Sequence, residues 1–131
     1  MIQIKIASNE KDIQQAKSLA RELFPKSRPN FSSDHIVLLA YLENLVVGFI
    51  HIIPTRGRLI LQGIGVKNDF QNKGVGSMLM ISAVELFIES HLPVFLKVRP
   101  LNRAVHMYEK FGFFLKDFRE DVCTLKWQEN S

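Results

Sequence analysis

The chain has 131 residues, of which 47% are hydrophobic and 23% charged, with a formal net charge of +4. These proportions fit one compact domain spanning residues 1–131, and no apolar run reaches the roughly 18 residues of a membrane span. A single cysteine excludes an internal disulfide framework, and the N-terminus lacks the long apolar segment of a signal peptide, so we expect a cytoplasmic protein.

The first quarter of the sequence predicts a strand followed by a helix. Residues 2–6 alternate apolar and polar side chains, as a half-buried strand does. Asn9 can cap the helix that follows, whose apolar residues recur at helical spacing. Pro25 is expected to end this helix, and the polar segment 25–34 is expected to form a loop or a short irregular helix.

Three strands are predicted next, at residues 36–42, 45–53 and 59–66. The short separations between them indicate antiparallel hairpins, with a turn at residues 54–57. The third run is so apolar that we expect it to be a central strand of the sheet.

The second half of the sequence predicts a parallel strand pair and a closing hairpin. A helix over residues 74–90 leads into a strand at 93–98, which implies a right-handed crossover. The remaining elements are a helix at 102–111 stopped by Gly112, then strands at 113–118 and 122–127. The expected fold is therefore α/β, a single domain with a mixed, mostly antiparallel central sheet, one parallel pair and flanking helices, in the order β-α-(α)-β-β-β-α-β-α-β-β.

A phosphate-binding loop is predicted between the strand at residues 59–66 and the helix at residues 74–90. The first turn of a helix has unpaired backbone N–H groups and a positive dipole end, which together bind anions. Gly74 and Gly76 let a diphosphate approach the backbone, and Lys73 adds positive charge.

Two other glycine motifs fail on spacing. The segment Gly63-Ile64-Gly65 begins like a dinucleotide-binding fingerprint, but Asn68 stands where the third glycine belongs. A nucleotide P-loop needs a lysine directly after glycine, and here Lys73 precedes Gly74.

Two segments carry a resemblance to a known family. Residues 71–76, Gln-Asn-Lys-Gly-Val-Gly, resemble the (Gln/Arg)-x-x-Gly-x-(Gly/Ala) signature of the GNAT superfamily of N-acetyltransferases. Residues 98–113 are similar to a later motif of that family, in which Asn102, Ala104 and Tyr108 precede a Gly-Phe pair. The order of predicted strands and helices also matches the family.

The resemblance implies that acetyl-CoA binds where the sheet splays between the strands that end at Val66 and Val98. Backbone groups at 64–66 would pair with the pantetheine arm, amides at 72–77 would hold the pyrophosphate, and Asn102 would bind the arm. The implied cofactor-binding residues are Ile64, Gly65, Val66, Gln71, Asn72, Lys73, Gly74, Val75, Gly76, Ser77 and Asn102.

The resemblance also implies direct attack of an amine on the thioester, without a protein nucleophile. The backbone N–H near Val66 would bind the oxyanion, and Tyr108 matches the family's general acid, although a core aromatic is the alternative for this tyrosine.

The general base is where this sequence departs from the family. The positions that carry a base in some members hold Ile60 and Gln62 here, and Lys97 is a poor base at neutral pH. His51 is the best remaining titratable candidate, with a structural strand histidine as its alternative. A mechanism that uses water or a neutral amine stays open. No pair of histidines has metal-ligand spacing, so we predict no metal.

The acceptor is expected to be a small-molecule or peptide amine, bound near residues 23–34 and 118–121. Positive charge near the expected cleft favours an acceptor with a carboxylate or phosphate; its sources are Lys26, Arg28, Arg56, Arg58, Lys97 and Arg99. A monomer or homodimer is expected. A non-catalytic acyl-CoA sensor is the alternative function. A nucleic-acid-binding domain would need a clustered basic face, and the basic residues are scattered along the sequence.

Overall fold

The computed structural model describes residues 1–27 and 30–129, which form seven strands, three α-helices and one short 3-10 helix. The elements are β1 (Ile2–Ile6), α1 (Glu10–Leu23), β2 (Ile36–Leu42), β3 (Leu45–Thr55), β4 (Arg58–Val66), the 3-10 helix (Asn68–Phe70), α2 (Val75–Ser90), β5 (Val94–Val98), α3 (Val105–Lys110), β6 (Phe113–Arg119) and β7 (Val122–Trp127). The strands make one sheet in the order β1-β2-β3-β4-β5-β7-β6, with β4 at its centre. Only β4 and β5 are parallel, which confirms the predicted fold class and the central position of β4.

The two faces of the sheet carry separate hydrophobic cores. Helix α1 begins at its cap Asn9, whose side chain accepts a hydrogen bond from the Asp12 amide at 2.8 Å, and packs its apolar stripe on β2 and β3. Helices α2 and α3 cover the opposite face, where the larger core joins strands on both sides of β4. Within residues 1–27 and 30–129, α1 packs on β2, β3 and β4 and leaves the face of β5 and β7 that points away from this larger core uncovered by a helix.

The parallel pair is joined at one end only. Residue pairs link β4 to β5 at Leu59 with Val94 and at Ile60 with Phe95, and none follows along the rest of β4. On the other side of β4, Leu61 pairs with β3, but the next residue, Gln62, is a bulge without a partner. The strands therefore diverge beyond Ile60, which confirms the splay that the family resemblance implies.

Two local predictions were wrong. Helix α3 begins at Val105 rather than at residue 102, because the Asn102 side chain accepts the Ala104 amide at 2.8 Å and holds the chain in a turn. Strand β3 extends through Pro54, which lies beyond the last pair with β2, so its missing N–H costs no pairing there. For residues 25–34 the prediction left a loop or a short irregular helix open, and within residues 24–27 and 30–35 the structure has no helix.

None of the helices in the described residues is long and apolar enough to cross a bilayer.

Candidate active site

The N-terminus of α2 forms an anion-binding cradle from main-chain atoms. Gly74 caps the helix in a left-handed conformation, with φ of 84°, and Asn72 just before it has φ of 62°. The first paired amide of the helix is that of Met78, which donates to the Gly74 carbonyl at 3.0 Å. The three amides before it, at residues 75–77, therefore point to the helix end and are free to bind an anion.

The open edge of β4 provides a second set of main-chain groups. The Lys67 amide donates to the Val47 carbonyl of β3 at 2.8 Å, and peptide groups alternate sides along a strand. Ile64 and Val66 therefore direct their peptide groups away from β3, into the gap left by β5. The Gln71 side chain donates to the Val66 carbonyl at 3.0 Å, which leaves the Val66 N–H as a free donor.

One cavity of about 540 Å³ joins the cradle to this strand edge. Its lining residues are Leu23, Phe24, Ile64, Gly65, Val66, Asn68, Phe70, Gln71, Asn72, Gly74, Gly76, Ser77, Asn102, Arg103, Ala104 and Met107. All the predicted cofactor-binding residues line it except Lys73 and Val75. The Lys73 ammonium lies 5.8 Å from the Phe70 ring, and the Val75 side chain is buried in the core, although its amide belongs to the cradle.

Sequence reasoning missed the apolar wall of this cavity. Leu23 and Phe24, at the end of α1, approach Gly65 so closely that a Cβ there would lie 2.9 Å and 3.1 Å from their side chains. Met107 of α3 approaches Gly76 in the same way, at 2.7 Å. The sequence does contain an apolar pair at the end of a helix and glycines that no turn requires. Neither feature shows which distant residues it contacts.

This cavity fits a ligand that carries both a diphosphate and amide groups. The free amides of the cradle suit a diphosphate, the open edge of β4 suits an extended chain of amides, and the wall at Leu23 and Phe24 suits a hydrocarbon linker. Coenzyme A combines these three parts. Within residues 1–27 and 30–129, no group of three or more His, Cys, Asp or Glu side chains could hold a metal ion.

Tyr108 lies beside this cavity but does not line it. The residue before it, Met107, does line the cavity, whereas Tyr108 is 5% exposed and packs edge to face on Phe113 with ring centroids 5.9 Å apart. Burial raises the pKa of the Tyr108 hydroxyl to about 12. The role of Tyr108 as general acid therefore stays a prediction. To donate a proton there, its phenol would need to move toward the cavity.

His51 is buried in a pair with His35. Nε2 of His51 lies 2.8 Å from Nδ1 of His35, and the Ser32 amide donates to the same Nδ1 at 3.3 Å; the tautomers of the two rings decide which of them donates in the His–His contact. Burial, together with the neighbouring His35, lowers the pKa of His51 to about 4. The ring of Phe31 stacks on His51 at 4.4 Å. His51 does not line the cavity beside the α2 cradle, and its burial and lowered pKa disfavour it as a general base. That role stays a prediction.

A second cavity, of about 340 Å³, lies on the open face of β4, β5 and β7. Its lining residues are Arg58, Ile60, Leu61, Gln62, Phe95, Leu96, Lys97 and Thr124. The two positions where the family resemblance suggested a base, Ile60 and Gln62, thus share one cavity with Lys97. Of the basic residues predicted near the cleft, Arg58 and Lys97 line this cavity, Lys26, Arg56 and Arg99 line neither, and Arg28 lies outside the described residues.

The Gln71 side chain holds the loop before α2 against the end of β4. Besides the Val66 carbonyl, it donates to Oδ1 of Asn68 at 3.2 Å, so it ties the loop to the end of β4. We expect Gln71→Ala to weaken acetyl-CoA binding about fivefold, because one net hydrogen bond of roughly 1 kcal/mol that orients the main chain is lost. Calorimetric titration of this variant with acetyl-CoA measures the loss, and Gln14→Ala, on the exposed face of α1, is the control that should bind normally. A loss of more than about 100-fold would instead mean that Gln71 is itself a principal ligand.

Comparisons with known proteins give a consistent result. Residues 6–113 match the model of the acetyltransferase (GNAT) family. Streptothricin acetyltransferase A of Bacillus subtilis (strain 168) is 35% identical over 80 residues, a match that spans 59% of this chain but only 46% of that protein.

Solved structures share the fold. The ribosomal-protein-S18-alanine N-acetyltransferase of Escherichia coli superposes with a TM-score of 0.82 at 17% identity, covering 97% of this chain and 93% of the other. Arabidopsis thaliana Naa50, in complex with the bisubstrate analogue CoA-Ac-MVNAL, gives a TM-score of 0.81 at 24% identity, covering 98% and 99%.

Proposed function

Because the chain belongs to the acetyltransferase (GNAT) family, we propose that it is an N-acetyltransferase that acts on a primary amine of a small molecule or peptide, with acetyl-CoA as the donor. The observation that carries this proposal is the single cavity joining the free amides of α2 to the open edge of β4. Bound acetyl-CoA would supply an activated acetyl group as a thioester.

Most of the groups that would hold the cofactor are main-chain N–H donors and carbonyl acceptors. The amides at residues 75–77 are placed to bind the pyrophosphate, and the peptide groups of Ile64 and Val66 to pair with the pantetheine amides. Oδ1 of Asn102 is occupied by the Ala104 amide, so its side-chain NH₂ is the group left to donate into the cavity.

The chain's own contribution to the reaction is positioning and stabilisation of developing charge, with Tyr108 as the proposed proton donor to the CoA thiolate that leaves as the new C–N bond replaces the thioester C–S bond. The Val66 N–H points into the gap and can donate a hydrogen bond to the acetyl oxygen as negative charge develops there. Cys123, the only cysteine, lines neither cavity, which supports direct attack by the amine. Neither Ile60 nor Gln62 can accept a proton, so we propose that the amine reacts as the neutral species or loses its proton to water.

Two alternatives follow from specific observations. The absence of a base at Ile60 and Gln62 favours a non-catalytic acyl-CoA sensor on the same fold. The similarity to a streptothricin acetyltransferase makes streptothricin an acceptor to include in any test, although the match covers less than half of that protein.

The experiment is an acceptor screen paired with thermal unfolding. Free thiol released from acetyl-CoA would be measured over a panel of amines, amino acids, peptides and streptothricin. In parallel, acetyl-CoA at about 100 times its Kd should raise the free energy of unfolding by roughly 2.7 kcal/mol. Stabilisation with amine-dependent release supports the transferase, and stabilisation with no release from any acceptor supports the sensor. A chain that acetyl-CoA does not stabilise at any concentration contradicts both functions.

A further inference from the structure

The second cavity is built on a face of the sheet that carries polar and charged side chains. Val94, Leu96 and Leu125 point into the larger core under α2 and α3, so the residues that alternate with them point the opposite way. Strand register places these alternating side chains in two adjacent rows. The first row is Ile60, Phe95 and Lys126, and the second is Lys97 and Thr124, with Gln62 of the β4 bulge beside them.

Phe95 lies between two cations at the centre of this face. The guanidinium carbon of Arg58 is 5.5 Å from the ring centroid, and the ammonium of Lys126 is 5.7 Å from it. Cations within about 6 Å of an aromatic ring are attracted to it. The ring thus holds positive charges from β4 and β7 together without using a carboxylate to do so.

The positive charge of this face is not neutralised by the described residues. Asp117 is paired with Thr124 in the sheet, but its carboxylate is bound by Nε of Arg119 at 2.9 Å. Among residues 1–27 and 30–129, Arg58, Lys97 and Lys126 form no salt bridge. Arg58 and Lys97 line the cavity and Lys126 lies against the Phe95 ring beside it, so the face carries a positive field that attracts anions and repels cations.

The face leads directly to the cofactor cavity. Gln62 lines the second cavity and Ile64 lines the first, and two residues of extended strand span about 7 Å. Lys97 lies near this junction, because it lines the second cavity together with Gln62. Val66 lies four residues of extended strand, about 13 Å, beyond Gln62, so an acceptor held at Lys97 by its anionic group would extend along this edge to bring its amine toward Val66.

We propose that the face formed by Arg58, Phe95, Lys97 and Lys126 binds an anionic group of the acceptor, so that the enzyme selects amines that also carry a carboxylate or phosphate. This inference rests on the proposed transferase function and deepens it. Lys97 is the specificity-determining residue, because of the three cations it lies nearest to the point where the two cavities meet.

The test uses pairs of acceptors with and without the anion, and turnover is compared at equal concentrations of the neutral amine, because removing a carboxylate also lowers the amine pKa. Amino acids would be compared with their carboxamides, and phosphoethanolamine with ethanolamine, by acetyl-CoA turnover and by calorimetric binding to the CoA-saturated protein. We expect the anionic member of at least one pair to bind and react at least tenfold better, because a charge-assisted contact is present in one member only. The pair that responds identifies the anion as carboxylate or phosphate.

Variants separate this face from general effects on the enzyme. Lys97→Gln should reduce the preference for the anionic member about tenfold while leaving acetyl-CoA affinity unchanged, and Lys11→Gln on α1 should change neither. Equal binding of both members in every pair, or a preference for spermidine or streptothricin, would overturn the proposal while leaving the transferase intact. Because binding is measured directly, the result does not depend on turnover, and failure of acetyl-CoA to bind would be seen separately.

Discussion

Replacing Gly76 with valine is expected to weaken acetyl-CoA binding by about 100-fold or more, the largest effect that we expect from a single substitution in the cofactor cavity. A Cβ at this position would lie 2.7 Å from Cε of Met107 and 3.9 Å from Cγ2 of Val66. The larger valine side chain would fill the space between the first turn of α2 and the edge of β4. The ligand would then lose several main-chain hydrogen bonds to charged oxygens, each worth about 1.5–3 kcal/mol.

Gly63→Val is the matched control for this prediction. Gly63 lies on the same strand as the cavity edge, but a Cβ built on it meets no atom within 4 Å. Calorimetric titration with acetyl-CoA should therefore give a near-normal Kd for Gly63→Val, and thermal unfolding should show that both variants are folded. A normal Kd for a folded Gly76→Val chain would place the cofactor somewhere other than this cradle.

The stability of the protein should depend on pH through His51. Burial holds the pKa of this imidazole at about 4 in the folded chain, against 6.5 for the exposed group in the unfolded chain. As the pH falls below 6.5, the unfolded chain therefore takes up a proton that the folded chain does not, and the unfolded state is favoured. The contribution of His51 is complete above about pH 6.5 and is lost progressively as the pH falls to about 4. Its size is about 3 kcal/mol between pH 7 and pH 4.

His51→Gln isolates this contribution from the carboxylates that titrate in the same range. A glutamine amide can still donate to Nδ1 of His35 but takes up no proton, so the pH slope of the variant should lack the His51 component. Urea unfolding of both chains between pH 7 and pH 4 measures the two slopes. Parallel slopes would mean that His51 takes up its proton equally in the folded and unfolded chains, so that burial does not lower its pKa.

Local sequence patterns were sufficient for most of the elements and for the cradle. Helix α2 and its cap depend on Gly74 and a run of apolar residues that are adjacent in sequence, and the amides that form the cradle come from the backbone itself. The start of α3 was wrong because one side-chain hydrogen bond, from the Ala104 amide to Asn102, competes with helix propensity. The spacing of apolar residues does not reveal a hydrogen bond of this kind.

The second cavity could not be predicted because its parts are far apart in sequence. Arg58, Phe95 and Lys126 come from three strands, and their contact requires the register of both β4 with β5 and β5 with β7. The pairing of His35 with His51 likewise depends on where the loop before β2 folds back. Sequence reasoning named Arg58, Lys97 and His51 individually, but their environments follow from long-range pairing.

The divergence of β4 from β5 also leaves little backbone pairing between the two halves of the sheet. These halves share backbone pairing at only two positions, at one end, and elsewhere they are connected through the core beneath α2 and α3. A ligand that hydrogen-bonds along the open edge of β4 would extend the interrupted sheet and add pairing at this junction. A substitution that loosens the junction is therefore expected to lower ligand affinity without contacting the ligand.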